Sequence, residues 1–205
     1  MALPQPPLLL ITDGQQARGG LLAVLTAALE GGVRWVSVRE KDLSEEDQVA
    51  LVVALRPLVQ SHGGRLTLHG SAALAREAQA DGVHLPAGAN AAAAREILGQ
   101  SALIGQSIHS LAEAQAASDV LDYVVAGPAF PTASKPGYGP ALEQAGLAAL
   151  VQACRRPLLA LGGIDEAGIP ACRAAGCTGI AVMGGLMRAA EGSQAARTLL
   201  RAWAD

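Results

Sequence analysis

Short apolar runs recur along this chain, each followed by a polar or glycine-containing turn and then a longer stretch with helical spacing. Six fall at 8–12, 33–38, 65–68, 82–85, 102–106 and 122–126, and two more lie within 157–164 and 178–187. A strand covered by helices on both faces reads as a continuous apolar run, so each is predicted to be a buried parallel strand. Between them the pattern predicts helices over 18–30, closed by Gly31 and Gly32, and over 44–61, opened by a capping box at Ser44 and Asp47 and kinked or shortened at Pro57. Further helices are predicted up to Ala80, over 90–98, up to Ser118, over 142–154, between the last two strands, and at the chain's end near Trp203.

Eight alternating units within one compact length predict a single closed (β/α)8 TIM barrel rather than an open sheet. The 205 residues allow about 25 per unit, enough for short elements joined by short loops. One domain is therefore expected over 1–205, with the proline-rich residues 1–7 as a flexible leader.

The last two runs end alike. Leu-Leu-Ala-Leu is followed by Gly162 and Gly163, and Ile-Ala-Val-Met by Gly184 and Gly185. Glycines at the carboxyl end of a strand let backbone amides approach an anion closely. In a (β/α)8 barrel the loops after strands seven and eight form the usual phosphate cradle, which is where these pairs fall.

Composition narrows the field. The chain is 51% apolar but only 2% aromatic, so its core is built from Ala, Leu, Val and Ile. A net charge of −3, with both signs interspersed, gives no support to nucleic-acid or anionic-membrane binding. Cys154, Cys172 and Cys177 are odd in number and lack C-x-x-C spacing, which fits a reduced, cytoplasmic protein. No basic start precedes a long apolar segment, and no run approaches the roughly 20 residues that span a bilayer. The pattern carries no signal for or against a homo-oligomer.

Catalytic groups of such barrels sit at the carboxyl ends of the strands. Round the ring these positions hold Asp13; Arg39 and Lys41; His69; His84; Ser107 and His109; Thr132, Ser134 and Lys135; and the two glycine pairs. Arg39 and Lys41 alternate on one strand and point the same way. With Lys135 they supply three cations, suited to a ligand carrying one or two phosphates. His84 has apolar neighbours and reads as a hydrogen-bonded core histidine. His69 and His109 follow their strands directly and are the candidates for proton transfer. Residues 127–140 are too long and too rich in Pro and Gly for a simple connector and read as a lid. No strand end presents paired carboxylates for Mg²⁺, and no Cys/His cluster has metal-ligand spacing.

Several of these segments together resemble the thiamine phosphate synthase superfamily, which includes the TenI-like thiazole tautomerases. They are Thr12-Asp13, Val38 to Lys41, Asp81 to Leu85, Gly105 to His109, Asp122 to Thr132, Gly162 to Ile164 and Gly179 to Met183. The resemblance implies a TIM barrel that binds a thiazole phosphate in thiamine biosynthesis. It places Arg39, Lys41, Thr132, Ser134 and Lys135 on anion-binding positions, and Gly163, Met183 and Gly184 on the thiazole phosphate cradle.

Three departures from the synthase pattern matter. Ser37 stands where the family has Gln, His69-Gly70 where it has Asn and a Mg²⁺-binding Asp, and residues 86–89 where it has a second metal carboxylate. The expectation is therefore a tautomerase without metal or other cofactor. Pro128 replaces that branch's histidine, so His69 or His109 is expected to be the base. Two alternatives stand beside it: a divergent synthase that would need Mg²⁺, and a non-catalytic regulator that binds a thiazole or thiamine phosphate.

Overall fold

The computed structural model describes residues 2–132 and 140–205. Its centre is a closed barrel of eight parallel strands in sequence order. They are β1 (Leu8–Ile11), β2 (Trp35–Val38), β3 (Arg65–His69), β4 (Gly82–Leu85), β5 (Leu103–Ile108), β6 (Tyr123–Ala126), β7 (Leu158–Leu161) and β8 (Gly179–Val182). Strand β8 pairs with β1 through Leu9 and Ala181, which closes the ring. The predicted TIM barrel is the observed fold.

Around it lie α1 (Leu21–Glu30), α2 (Glu45–Ser61), α3 (Ala72–Glu77), α4 (Ala91–Leu98), α5 (Leu111–Gln115), α6 (Glu143–Ala153), α7 (Ile169–Ala174), α8 (Gly184–Met187) and α9 (Gly192–Ala204). The main core fills the layer between barrel and helices, with residues such as Val36, Leu66, Val83, Ile104 and Ile180 facing outward onto Leu25, Val59 and Ala75. Small alanines on the helices let them sit close to the sheet.

Local chemistry sets the boundaries where they differ from expectation. Helix α1 starts at Leu21 rather than Arg18 because Gly19 and Gly20 have φ of +81° and +97°. Ser44 caps α2 by accepting from the Asp47 amide at 3.1 Å, but its hydroxyl donates to the Asp47 carboxylate at 2.7 Å. The reciprocal half of the capping box is thus replaced by a side-chain pair. Pro57 is carried inside α2, which runs unbroken for 17 residues. The carbonyl that loses its partner belongs to Val53, which is exposed. Strand β5 extends through Ser107 and Ile108, which pair with Val125 and Ala126 of β6. The leader is not a loose tail: Leu3 packs on the barrel interior, and the Pro7 carbonyl accepts from the Ile180 amide.

Two aspartates repeat one device at the amino-terminal face. Asp81, just before β4, accepts from the Leu66 amide of β3 at 2.8 Å, and Asp122, just before β6, accepts from the Ile104 amide of β5 at 2.9 Å. Each carboxylate satisfies an amide at the start of a neighbouring strand and helps to set the register. Asp122 also pairs with the Arg95 guanidinium at 2.8 Å.

The barrel interior is divided by chemistry. Leu9, Ile11, Val125, Leu159 and Ala181 fill one side, with Trp35 and Tyr123 in the same cluster. Ser37, Thr67 and His84 are buried polar groups on β2, β3 and β4, so the other side of the barrel is polar.

Candidate active site

A cavity of about 470 Å³ opens at the carboxyl end of the barrel. Strand direction explains its composition: Arg39 and Lys41 lie just past β2, His69 ends β3, His84 is on β4, Ser107 is on β5 and His109 just follows it. All six line the cavity, together with Thr132, Gly162, Gly163, Met183 and Gly184. Ser134 and Lys135 lie outside the described residues, and so does half of the loop that reads as a lid. Asp13 is not on the cavity wall; its carboxylate accepts from the Gln16 side chain within the loop after β1.

The two glycine pairs belong to one wall. Gly162 and Gly163 follow β7, Gly184 and Gly185 follow β8, and all four border the cavity. Gly163 has φ of +64°, and a Cβ there would lie 2.5 Å from the Pro131 carbonyl oxygen. The turn after β6 is therefore held against the turn after β7, with the Ala129 amide bonded to the Leu161 carbonyl and the Phe130 amide to that of Gly162. Replacing Gly163 with Ala is expected to destabilise the protein by about 1–3 kcal/mol, from backbone strain and this contact. Thermal unfolding of the variant checks it.

Charge is distributed unevenly. Among the described residues, Arg39, Lys41 and Arg188 border the cavity, against a single carboxylate, Asp165. Arg188 follows α8 and donates to the Gln16 side chain. Its place was not read from the sequence, because the four-residue helix that carries it has no periodic signal. Arg39 is anchored through its backbone amide, which donates to buried Thr12 Oγ1 at 2.8 Å.

The histidines occupy distinct settings. His109 Nδ1 is 2.9 Å from the Gly127 carbonyl oxygen, which can only accept. Nδ1 therefore carries the proton, and in the neutral ring Nε2 holds the lone pair. His69 is partly exposed, with its ring centroid 4.9 Å from that of His84. His84 is 1% exposed and bonded through both nitrogens, to Tyr123 and to Ser107. Burial, with His69 beside it, holds the His84 pKa well below the ordinary value. His84 is a core histidine, as its apolar neighbours suggested, but its edge also forms part of the cavity wall.

The chain matches the profile of the family described as thiamine monophosphate synthase over residues 8–186. It belongs to that family. A Geobacter sulfurreducens protein named provisionally as a thiamine-phosphate synthase is 44% identical over 196 residues, spanning 94% of this chain and 92% of its own. A thiamine-phosphate synthase from a Psychrobacter species is 36% identical over 201 residues, covering 94% and 93%. Among solved structures, the thiamine phosphate pyrophosphorylase from Pyrococcus furiosus superposes with a TM-score of 0.85 at 28% identity, covering 97% and 95%. This family member is thus a protein of thiamine biosynthesis, and no helix among its described residues is long and apolar enough to cross a membrane. The expected preference for isomerisation over coupling gains no support from relatives that carry synthase names.

Mg²⁺, which the resemblance ties to the coupling reaction, is not matched by the donor set of this family member. Gly70 follows β3, and the turn after β4 presents Pro86 and Ala87 to the cavity. The wall's carboxylate, Asp165, stands on the far turn after β7, where its Oδ1 accepts from the Gly168 amide at 2.9 Å. Among the described residues no three His, Cys, Asp or Glu side chains are grouped to hold a metal ion.

Proposed function

We propose that this protein couples a thiazole phosphate to a hydroxymethylpyrimidine pyrophosphate. The thiazole nitrogen forms a bond to the pyrimidine methylene carbon as the carbon–oxygen bond to pyrophosphate breaks, and pyrophosphate leaves with the bonding electron pair. The observation that carries this reading is a cavity bordered by three cations and two glycine turns, in a chain whose relatives are named thiamine-phosphate synthases.

Arg39 and Lys41 would hold the leaving pyrophosphate by charge-assisted hydrogen bonds, whose strength grows as negative charge develops on it. The turns at Gly162–Gly163 and Gly184–Gly185 would seat the thiazole phosphate, with Arg188 beside them. Side-chain cations take the part of a divalent ion in this reading, because the described residues of the wall offer that ion no carboxylate pair.

The test is a coupling assay with both substrates, in EDTA and in Mg²⁺. Thiamine phosphate should form in both, at rates within about tenfold of each other, a difference of about 1.4 kcal/mol in barrier. Strict dependence on Mg²⁺ would reject the metal-free part, and no product in either condition would reject coupling.

One observation favours a second reading, in which the protein isomerises the thiazole ring without metal. The His69 and His109 imidazoles border the cavity, and His109 has its tautomer fixed by the Gly127 carbonyl, with the proton on Nδ1. Under that reading His69→Asn or His109→Asn slows thiazole isomerisation about a hundredfold or more, as loss of a general base does. If neither change slows it, neither histidine is the base. Binding of thiazole phosphate without turnover of either kind would leave the regulator.

A further inference from the structure

The turn after β4 is tied through its backbone to a side chain of the next strand. On β5, Gly105 faces the barrel interior, where a Cβ would lie 2.0 Å from a Tyr123 ring carbon, and Ser107 borders the cavity. Gln106 lies between them, so its side chain points outward, and it is 7% exposed. Its Nε2 is 3.2 Å from the Pro86 carbonyl oxygen and 2.8 Å from that of Ala89. Carbonyls only accept, and a carboxamide nitrogen carries two N–H donors. Both bonds therefore have a fixed direction, and the side-chain amide can sit only one way round.

The turn they hold projects from the barrel. The Ala89 amide donates to the Pro86 carbonyl at 3.3 Å, which closes the turn, and Gly88 takes φ of +75°. A Cβ on Gly88 would meet nothing within 4 Å, and Pro86 is exposed. Asn90 then caps α4 by accepting from the Ala93 amide at 3.1 Å, so the chain passes from the turn directly into helix. Pro86 and Ala87 are the residues of this turn that line the cavity, whereas Ala89 packs on the core between barrel and helices. Gln106 thus sets, from behind, where an apolar part of the wall stands.

The place of that wall on the ring gives it a role. Among the described residues, the glycine turns follow β7 and β8, Arg188 follows α8, and Arg39 and Lys41 follow β2. The strands run in sequence order round a closed ring, so these anion-binding groups occupy the arc from β7 through β1 to β2, and β4 lies across the ring from β8. We propose that Gln106 is a positioning residue: it pins the turn after β4 so that Pro86 and Ala87 form a preformed apolar shelf for the substrate's heteroaromatic ring. A substrate whose charged end is held on the arc then rests its ring on the opposite wall. Fixing the turn before the substrate arrives removes the cost of ordering it from the binding step. The ring-bearing substrate rests on the proposed coupling reaction; the pinned turn does not.

Exchange and binding test these parts separately. In the wild-type protein, NMR should show the Gln106 side-chain amide protons exchanging with water at least about tenfold more slowly than those of exposed Gln100. Equal rates would overturn the pinned turn. The Ala87 and Gly88 amide signals should shift when hydroxymethylpyrimidine pyrophosphate is added and stay in place with inorganic pyrophosphate, which lacks the ring. Calorimetry then compares the two ligands in Gln106→Leu, which removes the donors, and in Gln106→Glu, which keeps the shape but turns acceptors toward the two carbonyls. Both changes should weaken the ring-bearing ligand about threefold to tenfold and leave pyrophosphate within about twofold. In turnover the loss should fall on KM for the pyrimidine substrate, with kcat within about twofold, because the shelf supports ground state and transition state alike. Equal weakening of both ligands, a loss confined to kcat, or turn signals indifferent to the ring would overturn the shelf and leave the coupling reaction standing. Wild-type protein that binds neither ligand would defeat the coupling reaction itself, and the shelf with it.

Discussion

Replacing Asp122 with Asn is expected to cost about 3 kcal/mol of stability, the low end for breaking a buried ion pair by removing one partner. The Arg95 and Asp122 side chains are 10% and 7% exposed and meet at 2.8 Å. Arg95 also donates to the carbonyls of Gly99, Ala102 and Val120, so it is fixed in place and cannot follow a lost partner into water. Asn retains an acceptor for the Ile104 amide but leaves the guanidinium without a counter-charge. Acid dependence provides a second check. Burial alone would raise the Asp122 carboxyl, but the Ile104 amide and Arg95 outweigh it, and its pKa lies below the ordinary value. A depressed folded-state pKa gives stability that is complete above the unfolded value of about 3.9 and lost as pH falls through the folded value. Urea unfolding at neutral pH and again below pH 4 should show the gap between native protein and variant narrowing in acid. A gap that stays constant would assign the loss to packing instead.

Removing both cations past β2, Arg39→Ala with Lys41→Ala, should lower kcat/KM for coupling by roughly two to four orders of magnitude. Each charge-assisted bond contributes about 1.5–3 kcal/mol, and both are assigned to the group whose charge grows in the transition state. The loss should fall on kcat as well as KM, because pyrophosphate is the leaving group. Arg39 is half-buried with its amide tied to Thr12, whereas Lys41 is exposed. Of the two single variants, Arg39→Ala should therefore carry the larger share. A double variant that loses less than about tenfold would place the pyrophosphate elsewhere on the wall.

Much of this barrel is legible in the sequence because buried parallel strands are written as uninterrupted apolar runs. Six of the eight runs contain their strands, β3 and β5 run one and two residues past theirs, and the glycine pairs after the last two mark the wall where they are found. What escaped was information held between strands. His84 on β4 looked like an isolated core residue, since nothing local says that Gly105 on β5 opens room for Tyr123 on β6 to meet it. Inward and outward positions on a strand apolar on both faces cannot be separated by alternation, so the polar side of the interior came into view only with register. Arg188 escaped for another reason, as it sits beyond a single turn of helix where the glycines had indicated only a loop. Aspartates 81 and 122 belonged to recognisable segments, yet their work at the amino-terminal face depends on amides 15 and 18 residues away in sequence.

Titrating hydroxymethylpyrimidine pyrophosphate into the protein by calorimetry, once in EDTA and once in Mg²⁺, bears most directly on whether side-chain cations alone hold the ligand at the barrel mouth. The account predicts binding in both buffers, with Kd values within about threefold of each other, a difference of about 0.65 kcal/mol. Binding that appears only when Mg²⁺ is present would contradict it.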